Sequence, residues 1–262
     1  MAKTVASAVP TLLKEIRTAL DARADEKTRV SIVSLQPKSP VKTLGVRTSA
    51  VKSIAKELFA KSRPALDYAT AVALVDAAVT RKVREEILAA VEILDRFRRD
   101  FQPSLLVHLE KWAVLADDLE LAESIGSRIA APALALDPAK ISVVRKWAKL
   151  KSPGRRQLAV LAASALVTEG RREATSALEL CELLLNEDHP ALVAGVASLL
   201  KDTTKVDAKA VQDFLFRRSI DGNPDILRAG SENLDSARRA ALIAKLDAQA
   251  GIVPLATTAG GR

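Results

Sequence analysis

The sequence is poor in the residues that staple, ligate or stack: one cysteine, one methionine, two histidines and 3% aromatics among 262 residues. A single thiol cannot pair within its own chain, which excludes a disulfide-stapled secreted domain and points to a reducing compartment, the cytoplasm. No apolar run approaches the roughly 18 residues of a membrane span. Pro10, Lys14, Glu15 and Arg17 interrupt the stretch where a signal peptide would need its apolar core. A Gly-rich phosphate loop, a Walker-type Gly-Lys-Ser/Thr and zinc-ligand spacing are all missing, so neither cofactor nor metal is expected. His108 and His189 lie far apart and read as structural or surface residues. Cys181, in the apolar stretch CELLL with no basic activator beside it, reads as buried and inert. Any chemistry must come from carboxylates and cations lining a groove.

Aliphatic and basic residues dominate instead. The chain is 48% hydrophobic and 27% charged, with a formal net charge of +8. This is too apolar for a disordered chain and ample for one elongated domain or two ordinary ones. The apolar spacing is helical almost throughout. Val83, Ile87, Ala90, Val91, Leu94 and Phe97 form one stripe, and Leu158, Leu161, Ala162, Ala165 and Leu166 form another. Leu192, Val193, Val196, Leu199 and Leu200 form a third. No period-two run bounded by turn residues competes with them, so the chain reads as all-α.

Punctuation cuts it into many short helices. Pro10, Pro64, Pro103, Pro138, Pro153, Pro190 and Pro224 fall near helix starts, where a missing N–H costs little. Asp117-Asp118, Ser152, Asp188 and Asp235 are candidate N-caps. Residues 34–45, rich in Pro, Lys and Ser, read as a loop, and residues 251–262 as a flexible tail after a single domain over 1–250. Similar amphipathic helices open at Arg84, Glu120, Arg155 or Arg156, and Leu192, about 36 residues apart. That spacing suits an α-solenoid of stacked helix pairs with one concave face, a compact bundle being the alternative.

The positive charge is unevenly spread. Residues 140–156, KISVVRKWAKLKSPGRR, carry Lys140, Arg145, Lys146, Lys149, Lys151, Arg155 and Arg156 without one acidic residue. Further basic groups stand at Arg96, Arg98 and Arg99, Arg171-Arg172, Arg217-Arg218 and Arg238-Arg239. Such groups neutralise phosphates, giving affinity that falls with salt. With so few rings to stack single-stranded bases, duplex DNA is the expected nucleic-acid partner.

Five segments resemble the DNA alkylation repair family, the HEAT-like-repeat DNA glycosylases. SPVKTLGVRTSAVKSIAKEL (39–58) is similar to the family's early element, with Ser49 where Pro is usual and Lys52 where Arg is usual. VLADDLELAESIGSRI (114–129) resembles the segment reading D-N-W-D-L-V-D, and VRKWAKLKSPGRRQLAVLAA (144–163) resembles an R-W-A element, keeping Trp147, Arg155 and Arg156. Residues 189–202 and ARRAALIAKL (237–246) match two later elements. The resemblance implies a HEAT-like solenoid with a concave basic face and a monomer bound to duplex DNA, associated with the nucleoid. The implied activity is hydrolysis of the N-glycosidic bond of N3- or N7-alkylated purines.

The departures fall on the family's base-holding cradle. Leu119 stands for its first Trp, Glu123 for its Asp, Gly154 for an inner Trp, and Ser198 for a later Trp. Lys201 stands where Arg is usual, while Arg156 survives unchanged. The resemblance therefore implies weak or altered activity, with Glu123 and Arg156 as the catalytic candidates. The implied DNA contacts are Lys146, Lys149, Lys151, Arg155, Arg156 and Lys201. Helical spacing separates these positions from the core. Leu119 and Glu123, four apart, lie off the stripe of Leu121, Ala122, Ile125 and Ile129. Ser198 and Lys201 lie opposite Leu192, Val196 and Leu199, and Glu123 reads otherwise as a solvated carboxylate near Arg128. Helix-pair solenoids also serve as protein-interaction scaffolds, a non-catalytic alternative in which the basic face meets an acidic protein.

Overall fold

The computed structural model describes residues 2–63, 66–168 and 172–250. Pro64, Arg171 and the expected tail over residues 251–262 lie outside them. The described residues are all-α, with no strand beyond an isolated parallel bridge between Lys42 and Val83. The chain divides into two compact units, Met1–Ala165 and Leu166–Arg262.

In the first unit the helices are α1 (Ala2–Asp21), α2 (Glu26–Leu35), α3 (Thr48–Ser62), α4 (Tyr68–Arg81), α5 (Arg84–Asp95), α6 (Leu105–Trp112), α7 (Leu119–Ile125), α8 (Ala131–Leu136), α9 (Ile141–Ala148) and α10 (Pro153–Ala163). One π turn, Gly126–Ala130, joins α7 to α8. Within this unit α3 packs on α5, α5 on α7, and α7 on α10. The second unit holds α11 (Ala174–Leu183), α12 (Pro190–Val206), α13 (Ala208–Arg218), α14 (Pro224–Gly230) and α15 (Ser236–Gln249), with α12 packed on α11, α13 and α14. Helices α5, α7, α10, α12 and α14 start at residues 84, 119, 153, 190 and 224, which sustains the period read from the sequence.

Capping explains most of the boundaries. Asp118 accepts from the Leu121 N–H at 3.1 Å, Ser152 from Arg155 at 3.1 Å and Asp235 from Arg238 at 2.9 Å, as their sequence contexts suggest. Asp25, Asp67 and Asp207 do the same for α2, α4 and α13. Hydrogen bonds from Thr28 and Thr70, hydroxyl as well as N–H, hold the Asp25 and Asp67 carboxyls below the usual carboxylate range. A carboxyl depressed in the folded state adds stability above its unfolded value, so these caps act at neutral pH and fade in acid.

Two expectations need correction. Pro10 lies inside α1 rather than at a helix start, and Asp188 caps nothing, because His189 occupies the N-cap of α12 without a side-chain bond. Pro153, Pro190 and Pro224 do sit in first turns.

The core stripes are buried as the spacing requires: Leu121, Ala122, Ile125 and Ile129 are all fully covered. Trp112 and Trp147 are also core residues, and the Trp112 indole N–H donates to Asp76 at 2.7 Å. Burial of Cys181 pushes its thiol pKa strongly up, which keeps it an unreactive core residue.

The largest departure from a simple amphipathic reading is the start of α5, where Arg84, Glu85 and Glu86 are all buried. Each is satisfied. Glu85 accepts from the N–H groups of Leu44 and Gly45 at 2.9 and 3.0 Å and from the Thr43 hydroxyl at 2.5 Å. Glu86 pairs with Arg81 at 2.7 Å and Arg17 at 3.3 Å. Arg84 pairs with Asp118 at 3.1 Å and with Glu120. The 36–47 loop is thereby fixed. Lys42 exchanges backbone bonds with Lys82 and Arg84, and Gly45 turns at φ +82°, where an added Cβ would lie 2.4 Å from the Asp25 carbonyl.

Gly154 is a second position that only glycine fits. A Cβ there would stand 1.8 Å from the Ala116 carbonyl oxygen, because the first turn of α10 rests directly on the chain entering α7. Gly154→Ala should therefore destabilise the first unit by about 2–3 kcal/mol, as overpacking against backbone does, and urea unfolding measures it.

Candidate functional site

Adjacent aspartates at the entry to α7 reach in opposite directions. Asp118, fully buried, pairs backwards with Arg84 and accepts from the Ser39 hydroxyl at 2.9 Å. Asp117 accepts forwards from the Ser152 hydroxyl at 2.6 Å and the Gly154 N–H at 3.3 Å. The start of α7 is thus held to α5 on one side and α10 on the other. Gln36 adds a third tie, its side-chain oxygen accepting from the Leu119 N–H at 2.7 Å.

From this anchored start, α7 presents Glu123 to a cleft of about 430 Å³ between α3, α5 and α7. The cleft is lined by Val51 and Leu88 together with carboxylates Glu92, Glu120 and Glu123, cations Lys52, Arg98 and Arg128, and hydroxyls of Thr48, Ser124 and Ser127. Most of this charge is already committed. Glu120 binds Thr48 and Arg84, and Arg128 spans Glu92 at 3.0 Å and Asp95 at 3.1 Å. Arg98 pairs with Asp95 at 3.0 Å. Glu123 accepts only a hydroxyl, from Ser127 at 2.9 Å, and among the described residues neither Glu123 nor Lys52 enters an ion pair. The sequence placed Arg128 near Glu123; both line the cleft, but the guanidinium goes to the α5 carboxylates. No aromatic ring lines this cleft among the described residues.

Leu119 is 37% exposed and lies one turn before Glu123, off the buried stripe. Gly154, by contrast, faces backbone rather than a cleft, and no larger side chain can stand there while α10 keeps its seat. The acid-free run surrounds the turn between α9 and α10. Lys146, Lys149 and Lys151 are exposed and without ion pairs among the described residues, and Arg155 is half-exposed. Arg156 has a structural duty here: its Nη1 donates to the carbonyls of Leu150 and Lys151, both at 3.0 Å, which braces that turn. Ser198 and Lys201 belong to the second unit, where Ser198 is exposed and Lys201 pairs with Glu232 at 3.0 Å.

Of the charged residues lining the cleft, Glu92 was not singled out from sequence, while Lys52, Glu120 and Arg128 were named there without a role in the site. Lys52 was visible within the 39–58 element. The Arg84–Glu120 pair had a fainter signal, because its members occupy equivalent places one repeat apart.

A family model for DNA alkylation repair enzymes matches residues 16–234. The chain belongs to that family. The solved structure of a predicted DNA alkylation repair enzyme from Enterococcus faecalis shares its fold at a TM-score of 0.61 and 12% sequence identity, covering 82% of this chain and 98% of the other. No curated protein matches the sequence. Within this DNA alkylation repair fold the cleft carboxylate and the helix-capping positions should differ in their weight for stability. Glu123→Gln should shift stability by no more than about 0.5 kcal/mol, as at an unpaired surface position. Ser152→Ala, which removes a helix cap, should cost about 1 kcal/mol. Urea midpoints of the two variants separate the two kinds of position.

Proposed function

We propose that the protein binds duplex DNA and hydrolyses the N-glycosidic bond of N3- or N7-alkylated purines, with Glu123 as its working carboxylate. The observation that carries this reading is the state of Glu123: an exposed carboxylate lining the cleft of α3, α5 and α7, held by a hydroxyl and committed to no cation among the described residues. Alkylation at N3 or N7 leaves the base cationic, so it departs as a neutral alkylpurine without needing a strong general acid. The sugar left behind carries developing positive charge at C1′. A pre-placed carboxylate stabilises that charge, and it orients the water whose oxygen bonds to C1′ while a proton is released.

Rings would normally add cation–π attraction of about 0.5–2 kcal/mol each. Among its described residues this cleft has none and offers carboxylates instead, which supports a slower reaction than an aromatic cradle would give. Lys146, Lys149, Lys151 and Arg155 supply phosphate contacts, and Arg156 shapes the turn that presents them.

Base release from alkylated duplex DNA tests the chemistry. Wild type should release alkylpurine, and Glu123→Gln should slow release by about 100-fold or more. Equal release by both proteins would remove Glu123 from the mechanism, and none by wild type would leave a DNA-binding protein without this activity. For binding, replacing Lys146, Lys149, Lys151 and Arg155 by Ala should weaken affinity. It should also flatten the slope of log affinity against log salt by about 0.9 for each phosphate no longer neutralised. An unchanged slope would put the interface elsewhere.

A further inference from the structure

Lys52, Lys56, Arg63 and Arg96 are exposed, enter no ion pair among the described residues, and have no task in the reading above. Three of them share one face of α3. Lys52, Lys56, Phe59 and Arg63 stand four, three and four residues apart, the spacing of a single helix stripe. The stripe begins in the Glu123 cleft, which Lys52 lines. Towards its far end it meets the end of α5. There the Arg96 guanidinium lies over the Phe59 ring at 5.3 Å, and Phe97 meets the same ring in a T-shaped contact at 5.6 Å.

The carboxylates nearby are committed or lie on other faces. Glu57 points away from the stripe, with the Ser53 hydroxyl at 2.7 Å and Arg23 at 3.6 Å. Glu15 goes to Lys61 at 2.8 Å, and Asp95 to Arg98 and Arg128. Arg99 and Asp100, exposed neighbours just past α5, offset each other. Within the cleft, Glu92 and Glu120 are paired with arginines. A ring under a guanidinium holds its plane and leaves the N–H edge free for an oxyanion. Lysines spaced along a helix without counter-charge suit a row of phosphates better than one small anion. The packing order α3, α5, α7, α10 sets this stripe on the opposite side of α7 from the Lys149–Arg155 turn.

We infer that the stripe is a second phosphate track: the backbone of bound duplex DNA leaves the cleft along α3, with Lys52, Lys56 and Arg63 on its phosphates and Arg96, held by Phe59, gripping one of them through two N–H groups. Phe59 is then a positioning residue, acting only through Arg96. The inference rests on the DNA-binding reading above and gives that reading its second side.

The test uses the full chain and a dye-labelled duplex with a central tetrahydrofuran abasic analogue. Anisotropy reports affinity, and hydroxyl-radical footprinting reports which backbone is covered. Wild type should protect the backbone on both sides of the analogue. The triple variant Lys56→Ala, Arg63→Ala, Arg96→Ala should lose protection on one side only, and its salt slope should fall by about 2.7, the share of three phosphates. All three side chains are exposed, and far-UV circular dichroism checks that the variant folds. Phe59→Leu should weaken binding about three- to fivefold in the wild-type background and not at all in an Arg96→Ala background. A loss that persists without Arg96 overturns the positioning role. An unchanged slope, or protection lost equally on both sides, overturns the track and leaves DNA binding by the α9–α10 turn intact. No anisotropy change for wild type at low salt overturns both.

Discussion

The buried pair of Arg84 and Asp118 is the joint on which the first unit hangs. Asp118 is fully buried, yet it must cap α7, accept the Ser39 hydroxyl and neutralise Arg84. Arg84 in turn reaches Glu120, which holds Thr48 at the start of α3. A buried pair of this kind adds little net stability over apolar residues of equal shape, but losing one partner strands a charge at a cost of about 3–5 kcal/mol. Its value here is positional. The pair fixes the entry angle of α7, and with it the direction in which Glu123 faces. Asp117 carries the same logic forward to Ser152 and Gly154, so two neighbouring carboxylates tie three successive repeats together.

Much of this architecture was legible in the sequence because it rests on apolar spacing and cap chemistry, which are local. The stripe from Leu121 to Ile129, the caps at Asp118, Ser152 and Asp235, and the prolines in the first turns of α10, α12 and α14 all follow from short-range pattern. What was not legible was the burial of charge. Arg84, Glu85 and Glu86 look like a solvated first turn, and only their partners on other elements, Arg17, Leu44 and Asp118, make burial tolerable. Pro10 fails as a start signal because α1 continues through it, which a local rule cannot foresee.

The candidate site divides in the same way. Helical spacing put Glu123 and Leu119 off the core stripe, where the structure finds them. Spacing could not assign Arg128, whose partners Glu92 and Asp95 come from α5. Nor could it distinguish Gly154 as a missing ring from Gly154 as a close approach; the 1.8 Å separation from the Ala116 oxygen decides for the latter. The outcome is a charged cleft in which, among the described residues, one carboxylate and one lysine remain uncommitted, beside an acid-free cationic turn. The proposed function rests on that combination.

Native-state hydrogen exchange on the Arg84→Met variant tests the central claim most directly, since it reports which segments depend on that one guanidinium. Exchange should accelerate in residues 36–47 and 118–125, which the pair connects, while helices of the second unit keep their wild-type protection. Unchanged protection of residues 118–125, or a uniform loss across the whole chain, would contradict the claim that this pair specifically positions α7 and its cleft.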